Sequence, residues 1–186
     1  GIRHYLGAVS LVDQKIGEVR ATLEELGEWE NTWVIYSADH GEMLGDHRYW
    51  AKSNFYQGAV QLPLIVSGPD REGKGVSRSL KELIDVPATI ADIGGAPAPE
   101  GCRGRSLLPD LRGEGEARDF IFSRIGEFSA VRNDRYRFTM HAPTETPCEL
   151  FDLEEDSGEM TNRVQDPDSK GLVEMFTETL RGHLAS

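Results

Sequence analysis

A chain of 186 residues, 38% hydrophobic and 28% charged, has enough apolar side chain for one ordinary core, and this composition excludes a wholly disordered polymer. Its formal net charge of -12 argues against a surface that tracks nucleic-acid phosphates, because that needs clustered Lys and Arg. No apolar run approaches the roughly 20 residues of a membrane helix, and Gly1-Ile2-Arg3-His4-Tyr5 lacks the charged-then-apolar order of a signal peptide.

Gly1 is not an initiator Met and stands directly inside a helical pattern, so the numbering is expected to start partway through a longer protein, and localisation is left open. Tyr5, Val9, Val12, Ile16, Val19, Leu23 and Leu26 recur at steps of four and three, which predicts a helix with one buried stripe, stopped by Gly27. Thr32-Trp33-Val34-Ile35-Tyr36-Ser37 is a β-branched and aromatic run that predicts a buried strand; a helix feeding such a strand indicates α/β layering, with a parallel sheet. Residues 38–54 are polar, with glycines at 41 and 45. They read as a long loop at the carboxyl end of that strand, where open α/β sheets place ligands. Residues 62–67 predict a second core strand, with Pro63 at its start and a turn at Gly68-Pro69.

Asp85 opens a short helix whose apolar positions are Val86, Ile90 and Ile93, ended by Gly94-Gly95. Residues 96–118 are rich in Pro, Gly and charge and read as a surface connection, with a domain boundary near residue 115. Short strands are predicted at 120–122, 129–132, 135–139 and 149–153, with Asn133-Asp134 as a hairpin turn between the middle pair. A last helix, capped by Asp168 or Ser169, presents Leu172, Met175, Phe176 and Leu180 to this antiparallel sheet. Cys102 and Cys148 are too few for a disulfide framework and too widely spaced for a metal motif, so two free thiols are expected.

The chemistry concentrates in Ser37-Ala38-Asp39-His40-Gly41-Glu42-Met43-Leu44-Gly45-Asp46-His47-Arg48-Tyr49-Trp50-Ala51-Lys52. Asp39 offers a carboxylate oxygen and His40 an imidazole nitrogen, and a sharp turn at Gly41 aims both at one cation. Lys52 is a compact cation suited to an anionic oxygen. On residue types alone, such a triplet more often builds a turn and a cap, His47 reads as a surface imidazole, and Lys52 as a solvated loop charge. Asp85, Arg103, Arg105 and Arg132 read as loop ion pairs.

The order YSADHGEMLGDHRYWAKSNFYQGAVQLPLIVSGP resembles the sulfatase pattern of strand, Asp-His-Gly-Glu, Leu-Gly-Asp-His, Trp-x-Lys, aromatic helix and Val-Pro-Leu-Ile. Three further blocks resemble the same family in the same order: YLGAVSLVDQKIGEVRATLEELGEWENTWVIY before it, then LIDVPATIADIGGAPAPEGCRGRSLLPDL and AVRNDRYRFTMHAPTETPCELFDLEEDSGEMTNRVQDP after it. The chain is similar to the C-terminal part of a sulfatase of the alkaline-phosphatase-like superfamily, with choline-sulfatase-like and iduronate-sulfatase-like members as the nearest subgroup.

That resemblance implies an alkaline-phosphatase-like α/β sandwich, of which residues 1–115 form part, and a C-terminal subdomain of antiparallel strands with a packed helix over 116–186. It implies a sulfuric ester hydrolase acting on a small-molecule sulfate ester, with no nucleic-acid or membrane partner. Asp39 and His40 match two ligands of a divalent metal, usually calcium; a histidine ligand suits zinc or manganese better, and magnesium is a further alternative. Lys52 matches the lysine that contacts sulfate, and His47 lines the same pocket. The family's formylglycine nucleophile arises from Cys in a Cys-x-Pro-x-Arg context. Cys102 stands in Cys-Arg-Gly-Arg and Cys148 in Cys-Glu-Leu-Phe, so neither matches, and the Asp-Asp pair that completes the metal shell has no counterpart. The isolated chain is therefore expected to turn nothing over, its partner being the missing N-terminal half of the same enzyme. Two alternatives stand beside this: a phosphonate or phosphate monoester hydrolase of the same superfamily, and a non-catalytic anion- or metal-binding module.

Overall fold

In the computed structural model, which describes residues 1–69 and 75–185, the first apolar stripe forms α1, Ile2–Glu25. Gly27 takes φ +71, its N–H bonding to Glu24 O at 3.1 Å and that of Glu28 to Leu23 O at 2.9 Å, which closes the helix as a left-handed glycine cap does. The stripe is not buried: no residue of α1 is, and Val9, Val12, Ile16 and Val19 are all exposed. Periodicity fixed the helix because its hydrogen bonds are local, whereas burial needs a partner surface that the described residues do not bring to it.

Two strands follow, β1 (Val34–Ser37) and β2 (Leu64–Ser67). They pair antiparallel, Val34 opposite Ser67 and Ser37 opposite Leu64. This corrects the expected buried, parallel strands: neither strand holds a buried residue. The chain between them contains a single 3-10 turn and the one-turn helix α2 (Gln57–Val60), so it doubles back on its own strand without the long helical crossover that a parallel pair requires. Pro63 stands just before β2, as expected.

The chain packs as two compact units, Gly1–Lys52 with Gly58–Gly75, and Ser53–Gln57 with Val76–Ser186. The boundary expected near residue 115 falls inside the second. That unit contains α3 (Asp85–Ile93), α4 (Leu108–Leu111) and the sheet β3 (Ile121–Ile125), β4 (Phe128–Arg132), β5 (Tyr136–His141) and β6 (Thr146–Asp152), ordered β3-β4-β5-β6 and antiparallel throughout. Asn133 makes the expected β4–β5 turn, its side-chain oxygen accepting the N–H groups of Arg135 and Tyr136. The final helix α5 (Lys170–Ala185) covers the sheet, and Phe176 and Leu180 join Val131, Phe138, Met140 and Leu150 in one core.

Three expectations change. The buried face of α3 is Asp85, Ala88 and Thr89, and Ile90 is 57% exposed, because Asp85 and Thr89 find buried hydrogen-bond partners that an apolar stripe does not reveal. The stretch 96–118 is more than a connection, since Leu107 and Leu108 are buried at the start of α4. Ahead of α5, a 3-10 turn (Pro167–Ser169) is capped by Asp166, whose carboxylate accepts the Asp168 N–H at 3.0 Å, and Met175 is 38% exposed.

Candidate functional site

The end of β1 is pinned where the Ser37 hydroxyl donates to the Pro63 carbonyl at 2.9 Å, and Asp39 and His40 follow directly. The Asp39 carboxylate does the turn work expected of it with one oxygen: Oδ1 accepts the His40 N–H at 3.0 Å. The other oxygen, Oδ2, lies 3.4 Å from His40 Nε2. His40 Nδ1 sits 2.8 Å from the Gly41 carbonyl, so a neutral ring donates from Nδ1 and keeps its lone pair on Nε2. A backbone carbonyl holding one ring nitrogen while the other stays open is the usual support of a metal-binding histidine. An aspartate oxygen and an imidazole lone pair 3.4 Å apart offer two neighbouring corners of one coordination shell, and the Asp39 side chain is 83% exposed.

Gly41 has a role other than the turn expected of it. It is not among the positive-φ residues. Instead its N–H donates to Ala59 O at 2.8 Å, and a Cβ there would lie 2.1 Å from the Gly58 carbonyl oxygen. Only glycine allows two backbones this close, and the contact fixes the Asp39-His40 turn against α2.

Beyond Gly41 the loop closes on itself. The Glu42 carboxylate accepts the N–H groups of Ala51 and Leu44, Met43 N–H donates to Ala51 O at 3.0 Å, and Gly45 N–H donates to Tyr49 O at 2.9 Å. Met43 is 1% exposed and anchors the turn. Leu44, His47, Arg48, Ala51 and Ser53 all hold positive φ, from 52 to 86 degrees. A run of non-glycine residues in this region is rare, and such strain gathers where a loop has a task.

The structure thus brings Asp39 and His40 together. His47 is half-buried in a 3-10 turn (Asp46–Arg48) of the same loop. Lys52 is exposed at its end, and no acceptor among the described residues holds its ammonium. Sequence reasoning missed Glu42 and Met43, although both stand inside the stretch it singled out. Asp85 does form the ion pair expected of it, but fully buried, both terminal guanidinium nitrogens of Arg118 donating to its carboxylate at 2.8 and 2.9 Å. Of the remaining three, Arg103 reaches the His183 carbonyl at 3.4 Å, Arg132 reaches Gln57 Oε1 at 3.4 Å, and Arg105 lies exposed.

A family model described as Sulfatase matches residues 1–96. A choline-sulfatase of Rhizobium meliloti (strain 1021) is 31% identical over 185 residues, covering 95% of this chain and 35% of that protein. The multifunctional alkaline phosphatase superfamily protein PehA of Trinickia caryophylli is 30% identical, covering 94% of this chain and 38% of its own length. Among solved structures, the phosphonate monoester hydrolase SpPMH from Silicibacter pomeroyi superposes with a TM-score of 0.85 at 31% identity, over 92% of this chain and 38% of that one. The chain spans less than two fifths of the length of these relatives.

Proposed function

This chain belongs to the sulfatase family, and on that footing we propose that it is the C-terminal portion of a sulfuric ester hydrolase, contributing part of a metal and sulfate site. The observation that carries the reading is Asp39 Oδ2 beside His40 Nε2 at 3.4 Å, with Nδ1 engaged by the Gly41 carbonyl. These two groups would hold one divalent cation, calcium by the family resemblance, with manganese, zinc or magnesium as alternatives. When bound, such a cation supplies charge stabilisation to the oxygens of a tetrahedral sulfuryl group.

Lys52 adds a positive charge for one of those oxygens, and His47 lines the same pocket from the strained turn. Among the described residues no group of three His, Cys, Asp or Glu converges on a common point, so this chain alone offers the cation two ligands and weak affinity. Both thiols are free, and neither stands in a Cys-x-Pro-x-Arg context, so the attacking group on sulfur is assigned to residues outside 1–186.

A second reading, a phosphonate or phosphate monoester hydrolase, is supported by the likeness to the phosphonate monoester hydrolase SpPMH, since one cation and one lysine serve any tetrahedral anion. The test is the complete gene product assayed with 4-nitrophenyl sulfate and with 4-nitrophenyl phenylphosphonate, before and after chelation. Sulfate hydrolysis that disappears with the metal and with Asp39→Ala supports the proposal. A product that cleaves only the phosphonate would transfer the site to the second chemistry, and chelator-resistant sulfate hydrolysis would refute the metal reading.

A further inference from the structure

We infer that Glu159 is a positioning residue for the Asp39, His40 and Lys52 loop, acting through Gln57 and α2. The inference rests on the reading of that loop as the cation and sulfate site, and it adds a residue that lies far from the loop in sequence.

Glu159 is 3% exposed and holds φ +53, an unfavourable conformation for a side-chain-bearing residue that persists only when its surroundings enforce it. Both carboxylate oxygens are committed. One receives Arg137 Nε, and the other accepts the Gln57 backbone N–H at 2.7 Å. Arg137 is itself 2% exposed, lies over the rings of Tyr56 and Phe151 at 5.1 and 4.7 Å, and donates to Glu149 and Thr139 at 2.7 and 2.9 Å. Gln57 meets the same region again through its side chain, which donates to Ser157 O at 3.3 Å and accepts from Arg132. A buried charge network of this kind tolerates little movement, because displacing one member leaves another charge unpaired in a low-dielectric interior.

This anchorage falls where the chain changes units. Residues Ser53–Gln57 pack with the second unit, while Gly1–Lys52 and Gly58–Gly75 form the first. Of the five residues after Lys52, Tyr56 and Gln57 are thus held by the Glu159 network. Gln57 is also the first residue of α2, and two residues later Ala59 O accepts the Gly41 N–H at 2.8 Å. A path of one carboxylate, one helical turn and one backbone bond therefore runs from Glu159 to the turn that orients Asp39 and His40. Removing the Glu159 to Gln57 bond frees the start of α2, and with it the support of Gly41 and of Lys52.

Two substitutions separate this role from general stability. Glu159→Gln removes the charge. Gln57→Pro deletes the N–H that Glu159 accepts, at the first position of a helix, where proline is well tolerated, together with the side-chain bonds to Ser157 and Arg132 that Gln57→Ala also removes, and it leaves the Glu159 to Arg137 pair in place. Gln57→Ala keeps the N–H and serves as control. In the complete gene product, amide exchange of Gly41 and Met43 should accelerate by at least about tenfold in Gln57→Pro and Glu159→Gln, with β1 and β5 amides and Gln57→Ala within about twofold of wild type. In parallel, the ¹³Cε signal of Lys52 is titrated with inorganic sulfate, and its half-saturation should rise at least about threefold in the same two variants.

Unchanged exchange at Gly41 and Met43 in Gln57→Pro, or acceleration that merely follows the β5 amides, would overturn the positioning role. The exchange measurement contains no anion. A wild-type chain whose Lys52 ignores sulfate would therefore count against the anion reading of Lys52 and leave exchange to decide the role of Glu159.

Discussion

Gly41→Ala perturbs the candidate site without touching any group assigned to chemistry. The added Cβ would lie 2.1 Å from Gly58 O, 3.1 Å from Gly58 C and 3.2 Å from Ala59 C, all backbone atoms that no rotamer change can move. Restoring ordinary contact of about 3.4 Å or more requires the two segments to part by about 1 Å, which also breaks the Gly41 to Ala59 hydrogen bond. Overpacking costs about 1–3 kcal/mol and the lost bond about 1 kcal/mol, so the loop should open at a local cost of about 2–4 kcal/mol. The consequence is carried by His40, whose ring is fixed by the Gly41 carbonyl at 2.8 Å. Broadening of the His40 ring signals by Mn2+ reads the effect directly, and Gly41→Ala should demand several-fold more metal for equal broadening. Gly94→Ala is the control, because a Cβ there meets nothing closer than 3.5 Å. Equal broadening of His40 in Gly41→Ala and wild type, with Met43 amide exchange unchanged, would refute the claim that this backbone approach orients the pair.

Asp85→Ala leaves the Arg118 guanidinium, 8% exposed, with Glu82 alone at 3.1 Å and strands the N–H groups of Glu82 and Arg105. Urea unfolding should show a loss of about 3–5 kcal/mol, part of it recovered by adding Arg118→Met, which removes the orphaned charge. His183 stacks on Phe122 with centroids 3.7 Å apart, and burial, aided by the charge of Arg103 and opposed by Glu82, holds its pKa below the usual imidazole range. The unfolded chain therefore takes up this proton first, so the contribution of His183 is complete above about pH 6.5 and is lost as pH falls through the lower folded value. Urea midpoints at pH 7.5 and 5.5 should differ less in His183→Phe, which keeps the stack and removes the titration.

What the sequence made legible was what neighbours in the chain decide. The four-three spacing of Tyr5 to Leu26 specified α1, and Asn133-Asp134 specified the hairpin, because both rest on local hydrogen bonds. Asp39 and His40 were legible as a pair for the same reason, being adjacent at a strand end. Partner choice over long separations was not. Asp85 was grouped with Arg103 and Arg105, yet its partner is Arg118, 33 residues on, and the Glu159 carboxylate finds the Gln57 N–H across 102 residues. Pattern also overstated burial, since apolar spacing on α1 says which face would be covered and nothing of what covers it. The direction of the β1–β2 pairing failed for a related reason: strand sequences look alike in parallel and antiparallel sheets, and the connection between them decides.

The loop from Glu42 to Ser53 explains why local pattern gave candidates without geometry. Leu44, His47, Arg48, Ala51 and Ser53 hold left-handed φ, each at a cost of roughly 1–2 kcal/mol relative to an ordinary backbone region. A loop needing only to connect two strands would place glycine there or avoid the conformation. The strain is held instead by tertiary contacts that composition does not announce: burial of Met43, two N–H groups on the Glu42 carboxylate, and the Met43 to Ala51 and Gly45 to Tyr49 bonds. Ala51 and Ser53 flank Lys52, at φ 65 and 86 degrees. Two enforced turns on either side of one lysine restrict where its side chain starts, which a freely solvated loop charge would not need. On the Ala51 side the restriction comes from Glu42 and Met43, whose carboxylate and backbone N–H hold the Ala51 N–H and carbonyl.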